Sequence, residues 1–390
     1  MNLSEKLNKA SKILEQFKDF YSQLDQNVFK GDAFSHPWLD EVSQLSIEQR
    51  VQFDAKRDHT VLKDSKWINC INEINDICSF KKVERSEPNK HYLGNAKKRH
   101  ELTQLGHILS PHQNKQTVDF GGGVGNFAYF LEQEHSMKVQ VLEQDKVLID
   151  KGIAKLGKLG SGVSFSECRI SKDSSTSLKN FDLGVGLHTC GNFSNDIFRL
   201  AINQKLPSII NFGCCYTKIQ NDDYNISNES NKTLHFNQRA LSFATLGFGP
   251  IPEDFFHFRE KIVNFKMSYY NWLYQTHEII DFVSMSNSRR TLFDKSFFEF
   301  STITTNKHFK EFALGTEAEM DSFYNSTKNK DLMSYFWSYY AIARYFGELI
   351  ETYILLDRAL FLENHGYSVN IIDVFDPNIS PRNKAIIASL

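Results

Sequence analysis

The sequence predicts an α/β protein: a mostly parallel sheet with helical segments on either side of it in the chain. Three observations carry this. Between about residues 117 and 214, short apolar runs alternate with helix-like stretches, the texture of strands joined by crossover helices. The first of these runs opens into a glycine turn, "DFGGGVG" (119–125). Outside this block the alternation gives way to apolar positions spaced three or four apart, as on helices laid against a core.

Taken in order, the N-terminal stretch places Leu3, Leu7, Ala10, Leu14, Phe17 and Tyr21 on one helical face. "HPW" (36–38) breaks the pattern, and helical texture resumes at "DEVSQLSIEQRVQF". The core strands are "TVDF", "KVQVLEQD", "VSFSECRI", "FDLGVGL" and "PSIINFG". Between them "AYFLEQEH", "KVLIDKGIAKLGKL" and "FSNDIFRLAIN" read as helices. Residues 220–365 read as loops and aromatic-rich helices, with "NDDYNISNESNK" (221–232) expected to be a mobile loop. "YSVNIIDVFD" and "KAIIASL", on either side of "PNISPRN", read as a hairpin closing one edge of the sheet. The predicted organisation is a helical region 1–85, a core 86–220, a helical insertion 221–365 and a closing hairpin 366–390.

Composition narrows the function classes. With 45 Lys+Arg against 47 Asp+Glu, no global basic field supports tight nonspecific nucleic-acid binding, although a local patch still can. Hydrophobic content of 41% is ample for a core and argues against global disorder. No apolar run approaches the roughly 18 residues that span a bilayer, so no membrane partner is expected. The amphipathic start, which carries acids, is unlike a secretory signal, and six cysteines without framework spacing suit reduced thiols. The expectation is a soluble, cytoplasmic protein.

"DFGGGVG" fits D-x-G-x-G-x-G, with Asp119 inside the strand and Gly121, Gly123 and Gly125 after it. Glycines there let the backbone turn tightly and approach a ligand at a helix N-terminus. A carboxylate two residues before the first glycine accepts hydrogen bonds from an ammonium, such as that of S-adenosylmethionine (SAM). It would repel a pyrophosphate placed at the helix N-terminus. "GVGNFA" also fits the dinucleotide pattern G-x-G-x-x-A, so a nicotinamide cofactor stays open as the alternative. Glu143 ends the second strand, 20 residues after Gly123, where an acid binds a ribose diol with either cofactor.

Two later strand ends carry polar groups: "LHTCGN" with His188 and Cys190, and "FGCCY" with Cys214, Cys215 and Tyr216. Zinc is one reading of these ligand types. Adjacent cysteines on an extended chain point to opposite faces, however, and C-x-x-C spacing is absent, so no metal is expected. A cysteine nucleophile beside His188 is a second reading. Small thiols packed around the sheet ends, with His188 capping a turn, is a third.

The glycine segment resembles class I SAM-dependent methyltransferases, which implies a Rossmann-like seven-stranded methyltransferase sheet ending in an antiparallel hairpin. "AKKRHEL" (96–102), "GLHTCGN" (186–192), "FGCCYTKI" (212–219), "IETYILLDRALFLENHG" (350–366) and "VFDPNISPRN" (374–383) narrow it. Together they resemble the methyltransferase-like family that includes proteins named for a ribosomal RNA adenine dimethylase domain. A more distant similarity, over the sheet core alone, is to a tRNA 2′-O-methyltransferase family with an H-x-C-G strand end.

The resemblance implies SAM as cofactor, held by Asp119, Gly121, Gly123, Gly125 and Glu143. It implies that His188, Cys190 and Tyr216 border the transferable methyl as catalytic residues. His188 would orient the acceptor or take its proton, and Tyr216 would stack on a planar substrate or cover the cofactor. Lys97, Lys98, His100 and Glu101 are then expected at the mouth with Cys214 and Cys215, as substrate-binding residues; a solvated basic face is the alternative for "KKRH". Glu351, Asp357 and Arg358 are expected to form buried ion pairs. No strand end offers the [DN]-P-P-[YFW] sequence of adenine N6 methylation. The implied function is a SAM-dependent methyltransferase with RNA or protein as acceptor; a catalytically inactive SAM-binding scaffold is the alternative, and a nicotinamide oxidoreductase comes third.

Overall fold

The computed structural model describes residues 1–87, 95–279, 290–309 and 314–390. The chain divides into two compact units. One holds residues 1–18, 73–249 and 346–390, and the other holds 19–72 and 250–345.

The first unit is built on a sheet of eight strands: β1 (Lys81–Lys82), β2 (Gln116–Phe120), β3 (Lys138–Glu143), β4 (Ser164–Glu167), β5 (Leu183–Cys190), β6 (Ser208–Cys214), β7 (Ser368–Asp373) and β8 (Lys384–Ser389). Their order is β1-β7-β8-β6-β5-β2-β3-β4. β2 to β6 are parallel, whereas β8 runs antiparallel to both β6 and β7. The fold is the expected α/β, Rossmann-like class, with one strand more than the seven the sequence predicts. The extra strand is β1, two exposed lysines paired with Ile372 and Asp373. A two-residue edge strand with no apolar side chain leaves no pattern to read.

β2 and β6 are buried along nearly their whole length, as parallel strands covered on both faces must be. Helices Asn126–His135, Lys146–Gly157 and Phe193–Gln204 are the crossovers. Asp145 caps the second of these, its carboxylate accepting from the Val147 amide at 2.9 Å. One core cluster gathers Leu102 and Leu105 of helix Ala96–Leu109 with Phe127, Val141, Val185, Phe212 and Phe375. The Phe212 and Phe375 rings stack at 4.7 Å and lock the hairpin segment to β6.

Helix Leu3–Gln16 carries a capping box of Asn2 and Glu5 and buries Leu7, Ala10 and Leu14 as its periodicity predicts. Its Lys6 is buried, and Nζ donates to the carbonyls of Ile77 and Ser79 at 2.8 and 2.6 Å. An ammonium there satisfies the open carbonyls at the end of helix Ser65–Cys78. Residues 349–360 of the long helix Thr327–Glu363 are buried all round, apolar on most positions and with Glu351, Asp357 and Arg358 each buried against a polar partner.

The second unit is helical. An aromatic cluster that includes Phe265, Phe293, Phe297, Phe300 and Phe336 forms its core. Asp54, on a short helical turn, is buried between the guanidinium groups of Arg259 and Arg344. Helix Pro37–Ser43 starts at the "HPW" break because proline suits a first helical position. Among the described residues no helix is long and apolar enough to cross a membrane.

Candidate functional site

Every sequence-predicted site residue lies in the first unit, on segments that end at the carboxyl edge of the sheet or on helix Ala96–Leu109. In open α/β sheets that edge is where ligands bind, close to the reversal of strand order. The reversal falls at β2, which pairs β3 on one side and β5 on the other.

The glycine turn follows β2. A Cβ at Gly121 would lie 2.9 Å from the Phe193 ring, and one at Gly125 would lie 2.7 Å from Phe165. Those two glycines let the turn pack closely. Gly123 differs: φ is +58°, and a Cβ there would meet nothing within 4 Å. Its backbone therefore borders open space, as a ligand-facing position requires.

Asp119 is buried beneath this turn, and its Oδ2 has no hydrogen-bond partner. Burial raises its pKa from 3.8 to about 7; nearby Lys98 opposes the rise and Glu143 adds to it. An orphaned buried acceptor is costly, and a donor from a ligand would relieve that cost. Glu143 is already engaged. Its Oε2 accepts from the Gly123 amide at 3.0 Å, and Oε1 accepts from Gln144 and Asp145 at 2.8 and 3.0 Å. It braces the turn, and contact with a ribose would use its remaining lone pairs.

At the end of β5 the pairing register slips between Leu187 and Thr189. His188 occupies the bulge with φ +65°, a device that re-aims a side chain. Its Nε2 lies 3.0 Å from Glu101 Oε1, and Ser380 Oγ donates to the same oxygen at 2.7 Å. Lys97 and Lys98 stand 3.6 and 3.8 Å from that carboxylate. Burial opposes ionisation of Glu101, but the His188 hydrogen bond and charge, Ser380 and Lys98 outweigh it and hold the pKa at about 2. Burial lowers the pKa of Lys98, which also feels Asp119.

Glu101 therefore stays ionised at neutral pH and fixes the proton of His188 on Nε2, which leaves Nδ1 as the basic nitrogen. Ser380 is the member that sequence reasoning missed. Its one signal is its place in the "SPRN" segment of the hairpin turn. Arg382 itself donates to the Thr245 carbonyl at 2.9 Å. His100, grouped with the mouth by sequence, is buried, and its Nε2 accepts from the Asp376 amide at 3.0 Å. It anchors the hairpin turn that brings Ser380 to Glu101.

The three cysteines converge. Cys190 and Cys214 sulfurs are 3.1 Å apart, and Cys214 and Cys215 sulfurs 3.6 Å. The expectation that adjacent cysteines face opposite ways does not hold, because Cys215 is left-handed (φ +50°) and has left the strand. The hydrogen bond from Cys214 brings the Cys190 pKa down to about 5 against its burial, with help from Cys215, Lys218 and His188. Cys214, as the donor, moves up.

Gly191 allows this convergence. With φ +57°, its Cβ would fall 2.6 Å from the Lys218 backbone, and its amide donates to the Cys214 carbonyl at 2.9 Å. The close approach here is to the turn after β6, not to a ligand. Gly191→Ala should therefore cost about 1–3 kcal/mol, measured as a lower denaturation midpoint with an unchanged denaturant slope.

Tyr216 sits elsewhere. Its ring is 1% exposed, and its hydroxyl donates to Glu351 Oε1 at 3.3 Å, so no open face remains for stacking on a substrate. Burial, chiefly, raises its pKa well above the usual value. Of the expected buried ion pairs, Glu351 forms one, with Lys384 at 3.2 Å. Asp357 and Arg358 instead hold uncharged groups. Asp357 accepts from the Ile226 and Ser227 amides at 2.8 and 2.9 Å, and Arg358 donates to Gly191 O and Asn195 Oδ1. The 221–232 loop, expected to be mobile, is thereby tied to the long helix.

Residues 97–222 match the model of a family described as "Methyltransferase domain". Among solved structures, the chain is similar to the Pyrococcus abyssi tRNA (uracil-54, C5)-methyltransferase in complex with S-adenosyl-L-homocysteine, at 18% identity over 30% of this chain and 29% of that one, TM-score 0.24. It is also similar to a SAM-dependent methyltransferase from Aquifex aeolicus, at 15% identity over 26% and 57% of the two chains, TM-score 0.21. A third is the CcbJ methyltransferase from Streptomyces caelestis, at 11% identity over 28% and 47%, TM-score 0.24. The chain spans less than two thirds of the length of each. The match agrees with what the turn offers: an unpartnered carboxylate and an open glycine backbone suit the ammonium and adjoining atoms of SAM. Residues 97–222 thus match a methyltransferase domain, with S-adenosylmethionine as the cofactor.

Proposed function

We propose that this protein transfers the methyl group of SAM to a polymer acceptor, RNA or protein. We also place it with the methyltransferase-like family that includes proteins named for a ribosomal RNA adenine dimethylase domain. The observation that carries the reading is the pairing of His188 with Glu101 at the end of β5, the strand beside the one that bears the orphaned Asp119. SAM supplies an electrophilic methyl on a sulfonium. Asp119 would hold the ammonium, and the Gly123 backbone and Glu143 would line the nucleoside side. His188 Nδ1 would orient the acceptor or take its proton as the bond to the methyl forms. Lys97, exposed at the mouth, is the cation best placed to meet a phosphate or carboxylate of the acceptor. Most of the rate would come from positioning. The six free cysteines suit a reducing compartment, in keeping with a cytoplasmic location.

Two experiments test this. Calorimetry should show SAM and S-adenosylhomocysteine binding with one site per chain, and no binding of NAD; preferential NAD binding would sink the reading. Methyl-labelled SAM incubated with the protein and fractionated lysate should then label a polymer. Loss of that label on nuclease treatment identifies RNA, and loss on protease treatment identifies protein. A SAM-binding protein that labels nothing in any fraction would be a scaffold instead.

A further inference from the structure

The sulfurs of Cys190, Cys214 and Cys215 all lie within 4.8 Å of one another. In a tetrahedral zinc thiolate with Zn–S of about 2.3 Å, the sulfur–sulfur edge is about 3.8 Å. The 3.1 and 3.6 Å separations fall slightly inside that edge, so small side-chain rotations would admit an ion at the centre. The backbone is shaped for this convergence. Left-handed Cys215 returns its thiol to the side of its neighbour, and Gly191 lets the ends of β5 and β6 close on each other.

Access and charge also suit an ion. Cys214 is buried at the base, whereas Cys190 and Cys215 are half-buried and give a route in from solvent. Lys218 acts on the charge of Cys190 and Arg382 on that of Cys215, which tempers the surplus negative charge of three thiolates around a dication. Among the described residues no fourth histidine, cysteine or carboxylate joins the group. Structural zinc sites are closed by four protein ligands, whereas sites with three protein ligands keep one position for water or substrate. Soft thiolates select zinc over the hard cations magnesium and calcium.

We propose that Cys190, Cys214 and Cys215 bind one zinc ion whose fourth position is open at the edge of the sheet where the acceptor is expected. This replaces the expectation of no metal, whose geometric ground the fold removes. It does not depend on the methyl-transfer reading, because the test below reads the metal on the protein alone.

The full-length protein, reduced with a phosphine and stripped with a chelator, is titrated with Co²⁺ and then Zn²⁺. One cobalt per chain should bind with thiolate charge-transfer absorption and the visible bands of a four-coordinate ion, and one equivalent of zinc should displace it. Cys190→Ser and Cys215→Ser, both at half-buried positions, should each weaken zinc binding at least about 100-fold, beyond the usual outer-shell effect of about 10–100-fold. Cys168→Ser, outside the cluster, should leave it unchanged, and circular dichroism checks that each variant is folded. Added imidazole should shift the cobalt bands by entering the open position. Absence of a thiolate–cobalt band in reduced protein overturns the site, as does a band that survives both Cys190→Ser and Cys215→Ser. A band that ignores imidazole overturns the open position.

Discussion

Changing His188 to Ala is expected to lower single-turnover methyl transfer by about 10²-fold or more while leaving S-adenosylhomocysteine affinity within a few-fold. The separation follows from placement. His188 sits in the bulge of β5 and faces Glu101, whereas the cofactor contacts are expected from the glycine turn after β2 and from Glu143. Glu101→Gln should reproduce much of the loss, because an amide no longer dictates which nitrogen of His188 carries the proton. Ser380→Ala removes one bond to Glu101, leaves its charge, and should cost less. The measurement is transfer and cofactor affinity in the same variant, once the labelling experiment has supplied an acceptor. Normal transfer in His188→Ala with normal binding would return the histidine to a purely structural role.

Binding of S-adenosylhomocysteine should weaken as pH falls from 7 to 5, by up to about 100-fold. Asp119 is buried and has a pKa near 7 in the free protein, so below that pH its carboxyl must lose a proton before it can accept from the ligand's ammonium. The limiting slope is tenfold per pH unit. Stability of the free protein runs the other way. A carboxyl whose folded pKa is raised contributes stability that is fully present below about 3.8 and is lost as pH rises through 7. Asp119→Asn should abolish the pH dependence of binding between 5 and 7, weaken affinity at pH 8 by roughly 1–3 kcal/mol and raise the free protein's stability at that pH. Calorimetry at several pH values checks the first two, and denaturation without ligand checks the third. A flat affinity profile in the unmodified protein would mean that Asp119 does not meet the ammonium.

The α/β class, the glycine turn and the closing hairpin were legible because each has a local cause. Parallel strands covered on both faces are short and mostly apolar, so β6 and the first half of β5 stand out through Ile, Leu, Val and Phe with small residues between them, and β2 through Val118 and Phe120 just before the glycine turn. Positive φ at Gly121, Gly123 and Gly125 calls for glycine, and glycine is visible in a sequence. His188 and Cys215 also have positive φ, yet neither is a residue type that announces it. The bulge and the turned thiol were therefore hidden, and with them the direction of His188 and the convergence of the cysteines. β1 was hidden for a different reason: two solvated lysines pair at an edge without burying anything.

The sequence by itself determined the sheet class, the position of the glycine turn and the strand ends on which most of the candidate residues lie, because these depend on spacing and burial within one stretch of chain. Which of those residues touch was decided by tertiary structure alone. Glu101 meets His188 from 87 positions away and Ser380 from 279, and His100 holds the turn that presents Ser380. Tyr216, adjacent to two of the clustered cysteines, is drawn instead into the interior by Glu351. Local patterns record which face a side chain takes on its own element. A partner hundreds of residues away is selected by the packing of whole elements, and nothing in either segment encodes that distance.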